Sequence, residues 1–287
     1  MSKILEILSK VLCVAIFASA PVQAELLAES DAGLPSENYW AYQAPTRPAL
    51  TALEHDFIRN PIDAFILEGL MAENLKPNLR APSRHLSRRA YYDLTGLPPT
   101  FEAVEVFNAE NDQRSAWDNL VNQLLASERY GEKLASLWLD TVRYAETNGF
   151  ERDNKKPYIW RYRDYVIKAF NDNKPYDRFV AEQLAGDELP DSDVAAKVAT
   201  GFMTLMQRDD EPADRDQAHS DMISDIVDVS SEAFLGTTMG CAKCHDHKVD
   251  PIPQADYYSL MSFFDSINTS HLQQPNRAWY DEADARA

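Results

Sequence analysis

The residues best suited to chemistry lie together near the C-terminal end, in Cys241-Ala242-Lys243-Cys244-His245. Positions 241, 244 and 245 share one face of a helical turn. Two thiols at this spacing can add to the two vinyl groups of one haem, and the adjacent imidazole can then meet the iron from the same side. The segment therefore reads as a c-type haem site, with Cys241 and Cys244 as covalent attachments and His245 as an axial iron ligand. Two other readings use the same residues. The thiols could form a disulfide, or Cys241, Cys244, His245 and His247 could hold zinc as a tetrahedral set. Structural zinc usually draws on two separated ligand pairs, which favours haem.

The second axial ligand is less legible. His247 lies two residues beyond His245 and points to a different side of a turn, so it suits a hydrogen-bonding role behind the ligand. Met261, His271, His219 and Met239 are candidates for the opposite side of the iron. Met261 also sits on an apolar stripe and reads as core filling. No phosphate-cradling glycine loop, G-x-S-x-G or H-E-x-x-H occurs. Asp209-Asp210-Glu211 reads as a solvated acidic loop rather than a calcium loop. Asp187-Glu188 reads as a pair of surface acids. Tyr158, Trp160, Tyr162 and Tyr165, with Arg161 and Arg163, read as a helix with a core face and snorkelling arginines. Pairing of those arginines with haem propionates is the alternative.

The start of the chain gives the compartment. Lys3 and Lys10 accompany an apolar run, Val11 to Ala20, and Val22-Gln23-Ala24 puts small residues three and one before a cut. Residues 1–24 are thus expected to be a secretory signal peptide, cleaved before Glu25. The run is shorter than the roughly 20 residues that span a bilayer. Cleavage removes Cys13 and leaves Cys241 and Cys244 as the two cysteines of a periplasmic or secreted protein. No later segment is long and apolar enough to span a membrane.

Across 287 residues, 46 acids oppose 28 bases, a net charge of −18. Such a surface repels phosphate backbones, which excludes nucleic acid as the expected partner. It suits a basic redox partner protein. With only 9 glycines, glycine-rich β architectures and low-complexity disorder are also disfavoured.

The elements that must position the motif are helices. Asn60 can cap a helix that begins with Pro61 and aligns Ile62, Phe65, Ile66, Gly69 and Leu70. Further stripes follow: Trp117, Leu120, Val121, Leu124 and Leu125; then Leu134, Leu137, Trp138, Val142 and Ala145; then Ile159, Tyr162, Val166 and Phe170. Tyr176, Phe179, Val180 and Leu184 form a shorter one. Met222, Ile223, Ile226, Val227, Ala233 and Phe234 mark a long helix, and Tyr257, Leu260, Met261 and Phe264 the last. Gly96, Gly149, Gly186, Gly201 and Gly236 are expected to end helices. The expected fold is mostly α, a single multi-helix domain with an extended N-terminal lead-in. Its boundaries are 1–24 for the signal, 25–59 for the lead-in, 60–270 for the helical domain and 271–287 for a flexible tail.

Several segments carry a resemblance: Arg59–Leu67, Asp93–Thr100, Tyr144–Glu151, Trp160–Val166, Pro175–Val180 and, most specific, Gly240–Ile252. Together they span roughly residues 39–266. In them the chain resembles the planctomycete cytochrome-like secreted family, exported bacterial proteins of unknown function with a c-type haem motif. The resemblance implies an extracytoplasmic haem-binding role for Cys241, Cys244 and His245. Such proteins usually continue into a second domain, so a missing C-terminal partner domain is expected. The functional expectation is electron transfer or a redox accessory role rather than enzymatic turnover. The alternative is a non-redox binding or hydrolytic module, polysaccharide-related, with zinc or a disulfide at the motif.

Overall fold

The computed structural model describes residues 43–50, 53–110 and 113–267. The expected signal, the tail and His271 lie outside these residues. Residues 43–50 and 53–60 carry no helix, in keeping with an extended lead-in. Ten α-helices follow among the described residues: α1 Pro61–Ala72, α2 Ser83–Thr95, α3 Phe101–Ala109, α4 Gln113–Leu125, α5 Glu128–Thr141, α6 Trp160–Asn171, α7 Tyr176–Ala185, α8 Val194–Ala199, α9 Arg215–Ser230 and α10 Gln254–Met261. They form a single helical domain; the described residues contain no strand beyond an isolated bridge between Thr147 and Lys155.

The expected cap of α1 is in place. Asn60 Oδ1 accepts from the amides of Ile62 at 2.8 Å and Asp63 at 3.2 Å, and Asp63 accepts in return from the Asn60 amide at 3.1 Å. This is a capping box followed by proline in the first turn. The helix is rotated away from the expected orientation, however. Ile62, Phe65 and Ile66 are exposed, while Ala64 and Leu67 are buried. The sequence Pro61–Ala72 is apolar nearly all round, so its periodicity does not fix which stripe faces inward.

A small core joins α2, α3 and α4 through Ala90, Phe107, Ala116, Leu120 and Leu124. The main core draws on α5 to α9, with Ala135, Tyr162, Val166, Phe179, Ala199, Ile223 and Ile226 among its buried residues. Trp138 meets Phe179 edge-on at 5.0 Å, a geometry favoured by ring quadrupoles, and Phe234 at a tilt with centroids 5.6 Å apart. A chain of hydrogen bonds runs through this core. Trp138 Nε1 donates to the Tyr162 hydroxyl at 2.9 Å, and that hydroxyl donates to Gln183 Oε1 at 2.6 Å. Glu182 accepts from Tyr165 at 2.8 Å, from Arg178 Nε at 2.7 Å and from Lys174. Burial alone would raise the Glu182 pKa; the Lys174, Arg178 and Tyr165 hydrogen bonds outweigh it and hold the pKa below the ordinary value.

Gly96 and Gly236 end helical segments with φ of 70° and 66°, as expected. Gly149 has a positive φ in a loop, not at a helix end. Gly186 follows α7 with an ordinary φ; a Cβ there would lie 1.9 Å from the Ala196 carbonyl oxygen, so its small size serves packing. Gly201 lies within the 3-10 turn Thr200–Thr204 rather than ending it.

Candidate functional site

The approach to the motif is set by α9. This helix continues into a π-type segment, Ser231–Leu235, and stops at Gly236. The chain then turns back and forms a 3-10 helix, Met239–Lys243, capped by Cys244. Met239 and Ala242 are buried with Val227 of α9 and Tyr257 of α10. Inward anchoring at 239 and 242 leaves Cys241 and Cys244 on the outer side of the turn. Residues three apart eclipse on a 3-10 helix, and both Cys241 and Cys244 are exposed, free thiols.

Gly240 permits this seating. A Cβ there would stand 3.1 Å from the Asp228 carboxylate of α9. Asp228 accepts from the Tyr257 hydroxyl at 3.1 Å. Burial raises its pKa, and the Tyr257 hydrogen bond and Lys243 oppose the rise. One turn back on α9, Asp225 forms a two-pronged pair with Arg143, whose Nε lies 3.1 Å from Oδ1. Burial brings the Arg143 pKa down to about 10. From the other side, α10 grips the turn. Gln254 Nε2 and the Tyr258 hydroxyl both donate to the Lys243 carbonyl at 3.0 Å. Asp246 Oδ1 accepts from the Gln254 amide at 2.8 Å, at the first residue of α10. Pro253 precedes that helix without a side-chain cap, so Asp246 supplies the acceptor from eight residues away.

The two neighbouring histidines are used in opposite ways. His245 is exposed, and its Nδ1 lies 2.7 Å from the Asp246 carbonyl oxygen. A carbonyl only accepts, so Nδ1 carries a proton, and whenever the ring is neutral its lone pair lies on Nε2. That is the tautomer in which histidine ligates metals through Nε2. The His247 side chain is 8% exposed. Its Nδ1 accepts from the amides of Val249 at 3.3 Å and Asp250 at 2.8 Å, while its own amide donates to the Ile252 carbonyl at 2.9 Å. His247 thus closes the loop that leads to α10. Among the described residues, no three His, Cys, Asp or Glu side chains are gathered to hold a metal ion. Cys241, Cys244, His245 and His247 are accordingly not assembled as a tetrahedral set.

The other candidates are dispersed. Met239 is buried in the seat of the turn and Met261 packs against the core. His219 is half-buried on α9. Tyr162 and Tyr165 are core residues; Arg163 pairs with Asp164 and Glu146 at the surface, and Arg161 stacks over Trp160. The acidic loop is occupied structurally. Asp210 accepts from Asn148 at 2.9 Å and from Asn154 at 2.6 Å, and Glu211 pairs with Arg152 at 2.5 Å. This clasp fixes the 144–156 loop, together with Lys156, whose ammonium donates to the carbonyls of Thr204, Leu205 and Met206 at 2.9–3.1 Å.

Fold and site together define a helical protein that presents an outward Cys-x-x-Cys-His turn on a buried seat. The chain belongs to the PSCyt2 family, described as a protein of unknown function (DUF1549), which it matches over residues 61–269. No curated protein and no solved structure matches it.

Proposed function

We propose that the chain is an extracytoplasmic c-type haem-binding protein of the planctomycete cytochrome-like kind, serving electron transfer or a redox accessory role. The observation that carries this reading is the His245 ring, held by Nδ1 at 2.7 Å from the Asp246 carbonyl, beside two exposed free thiols. Cys241 and Cys244 would hold a haem by adding each S–H across a vinyl double bond, and His245 Nε2 would ligate the iron. A bound haem supplies a one-electron iron couple. The protein's own part is to fix the ligand: the Asp246 carbonyl selects the tautomer, and Gln254 and Tyr258 hold the turn through Lys243. An acidic exterior of net charge −18 favours a basic redox partner. No helix among the described residues is long and apolar enough to cross a membrane; the periplasmic or secreted placement is proposed from the leader alone.

The test is expression in a host that attaches c-type haem. After acid–acetone extraction and denaturation, the polypeptide should keep haem colour on a gel and give a c-type reduced spectrum. A colourless protein with stoichiometric zinc would sink the proposal and favour the zinc reading.

A further inference from the structure

A second surface has the character of a ligand site and takes no part in the haem proposal. Along α2, Arg84, His85, Arg88 and Tyr92 line an open cleft of about 370 Å3, and Pro98, Pro99 and Val104 complete its lining. Positions 84, 88 and 92 repeat every four residues, so they form one row along the helix. The Arg88 guanidinium lies over the Tyr92 ring, 5.4 Å from its centroid.

The charge here runs against the rest of the molecule. In a chain of net charge −18, several arginines are matched to acids, as in Arg129–Glu132, Arg143–Asp225, Arg152–Glu211 and Arg178–Asp191. Among the described residues, no carboxylate pairs with Arg84 or Arg88. Two unpaired guanidiniums one turn apart match the oxygens of a carboxylate or sulfate. Beside them, Tyr92, Pro98, Pro99 and Val104 offer flat apolar surface, against which a ring can stack. The volume falls in the range of small-ligand sites.

We propose that this cleft binds a single ring bearing an oxyanion, with Arg84 and Arg88 holding the anionic group and Tyr92 with the two prolines holding the ring. A sugar acid and an aromatic acid share this chemistry.

The full-length protein, titrated calorimetrically at low ionic strength with glucuronate, benzoate and inorganic sulfate, tests the assignment. At least one ring probe should saturate and bind more tightly than sulfate. Preference for glucuronate marks a sugar acid, and preference for benzoate an aromatic one. R84Q/R88Q, at two exposed positions, should weaken binding at least about tenfold, the scale of a lost charge-assisted hydrogen bond. Tyr92→Ala should weaken the ring probes and spare sulfate. Cys241→Ser with Cys244→Ser should leave all three affinities unchanged, which separates this site from the haem turn. Absence of saturable binding by every probe, or full affinity in R84Q/R88Q, would overturn the proposal.

Discussion

Glu182 and His245 sit in regions built on opposite principles. Around Glu182 both carboxylate oxygens are engaged by Tyr165, Arg178 and Lys174, and the residue is 3% exposed. A buried charge without partners is costly, so such a group persists only when satisfied. Three of its four acceptor sites are filled, and burial keeps a ligand from the fourth. The turn at 239–245 buries only Met239 and Ala242 and leaves two thiols and one imidazole nitrogen facing outward. The same contrast recurs over three residues, where His247 is spent on Val249 and Asp250 and His245 is not. Saturated polar groups hold the fold, and reactive groups left open beside them are where chemistry is to be sought.

Substitutions can break this comparison, beginning with the largest effect. Cys241→Ser with Cys244→Ser should abolish covalently retained haem on a stained gel while shifting stability by no more than about 0.5 kcal/mol, as for exposed positions. Glu182→Ala should do the reverse, costing about 3 kcal/mol in urea unfolding by stranding its partners and leaving haem retention intact in the folded fraction. The pH dependence has a definite sign. Because the folded Glu182 pKa is depressed, its contribution is full above the ordinary value of 4.5 and is lost as pH falls through the folded pKa. The acid slope of stability should flatten in Glu182→Ala. His247→Ala should cost about 1–2 kcal/mol, since two backbone amides lose their acceptor. Asp246→Ala should cost about 1 kcal/mol, the usual price of a lost helix cap. A Glu182 variant as stable as the parent would remove the distinction between the two regions.

Much of this was legible in the sequence because it is local. The Asn60-Pro61 start, the buried stripes of α6 and α9 and the Cys-x-x-Cys-His spacing depend on neighbours a turn away. The outward face of α1 was not legible, because a helix apolar nearly all round can dock by several stripes. The role of His247 was only half visible: the sequence placed it off the ligand face, but its acceptor bonds to the Val249 and Asp250 amides need the path of the loop. Asp246 capping α10, and Tyr258 reaching back to Lys243, have no periodic signature for the same reason. The Glu182 network joins side chains of α6 and α7 with Lys174 between them, a meeting decided by helix packing. The α2 cleft has no signature in the sequence, because Arg84 and Arg88 look like ordinary solvated bases until the fold brings Pro98, Pro99 and Val104 beside them.

The central claim is that His245, and not His247, is the open ligand. Matched spectra of the parent, His245→Ala and His247→Ala, each prepared with c-type haem attachment, test it most directly. His245→Ala should keep both thioethers yet shift or broaden the Soret band and move the reduction potential, because axial identity is a main lever on haem electronics. His247→Ala should lower stability and leave the spectrum of the folded protein unchanged. Equal loss of bound metal from both variants, with no haem in the parent, would contradict the account and assign the turn to zinc.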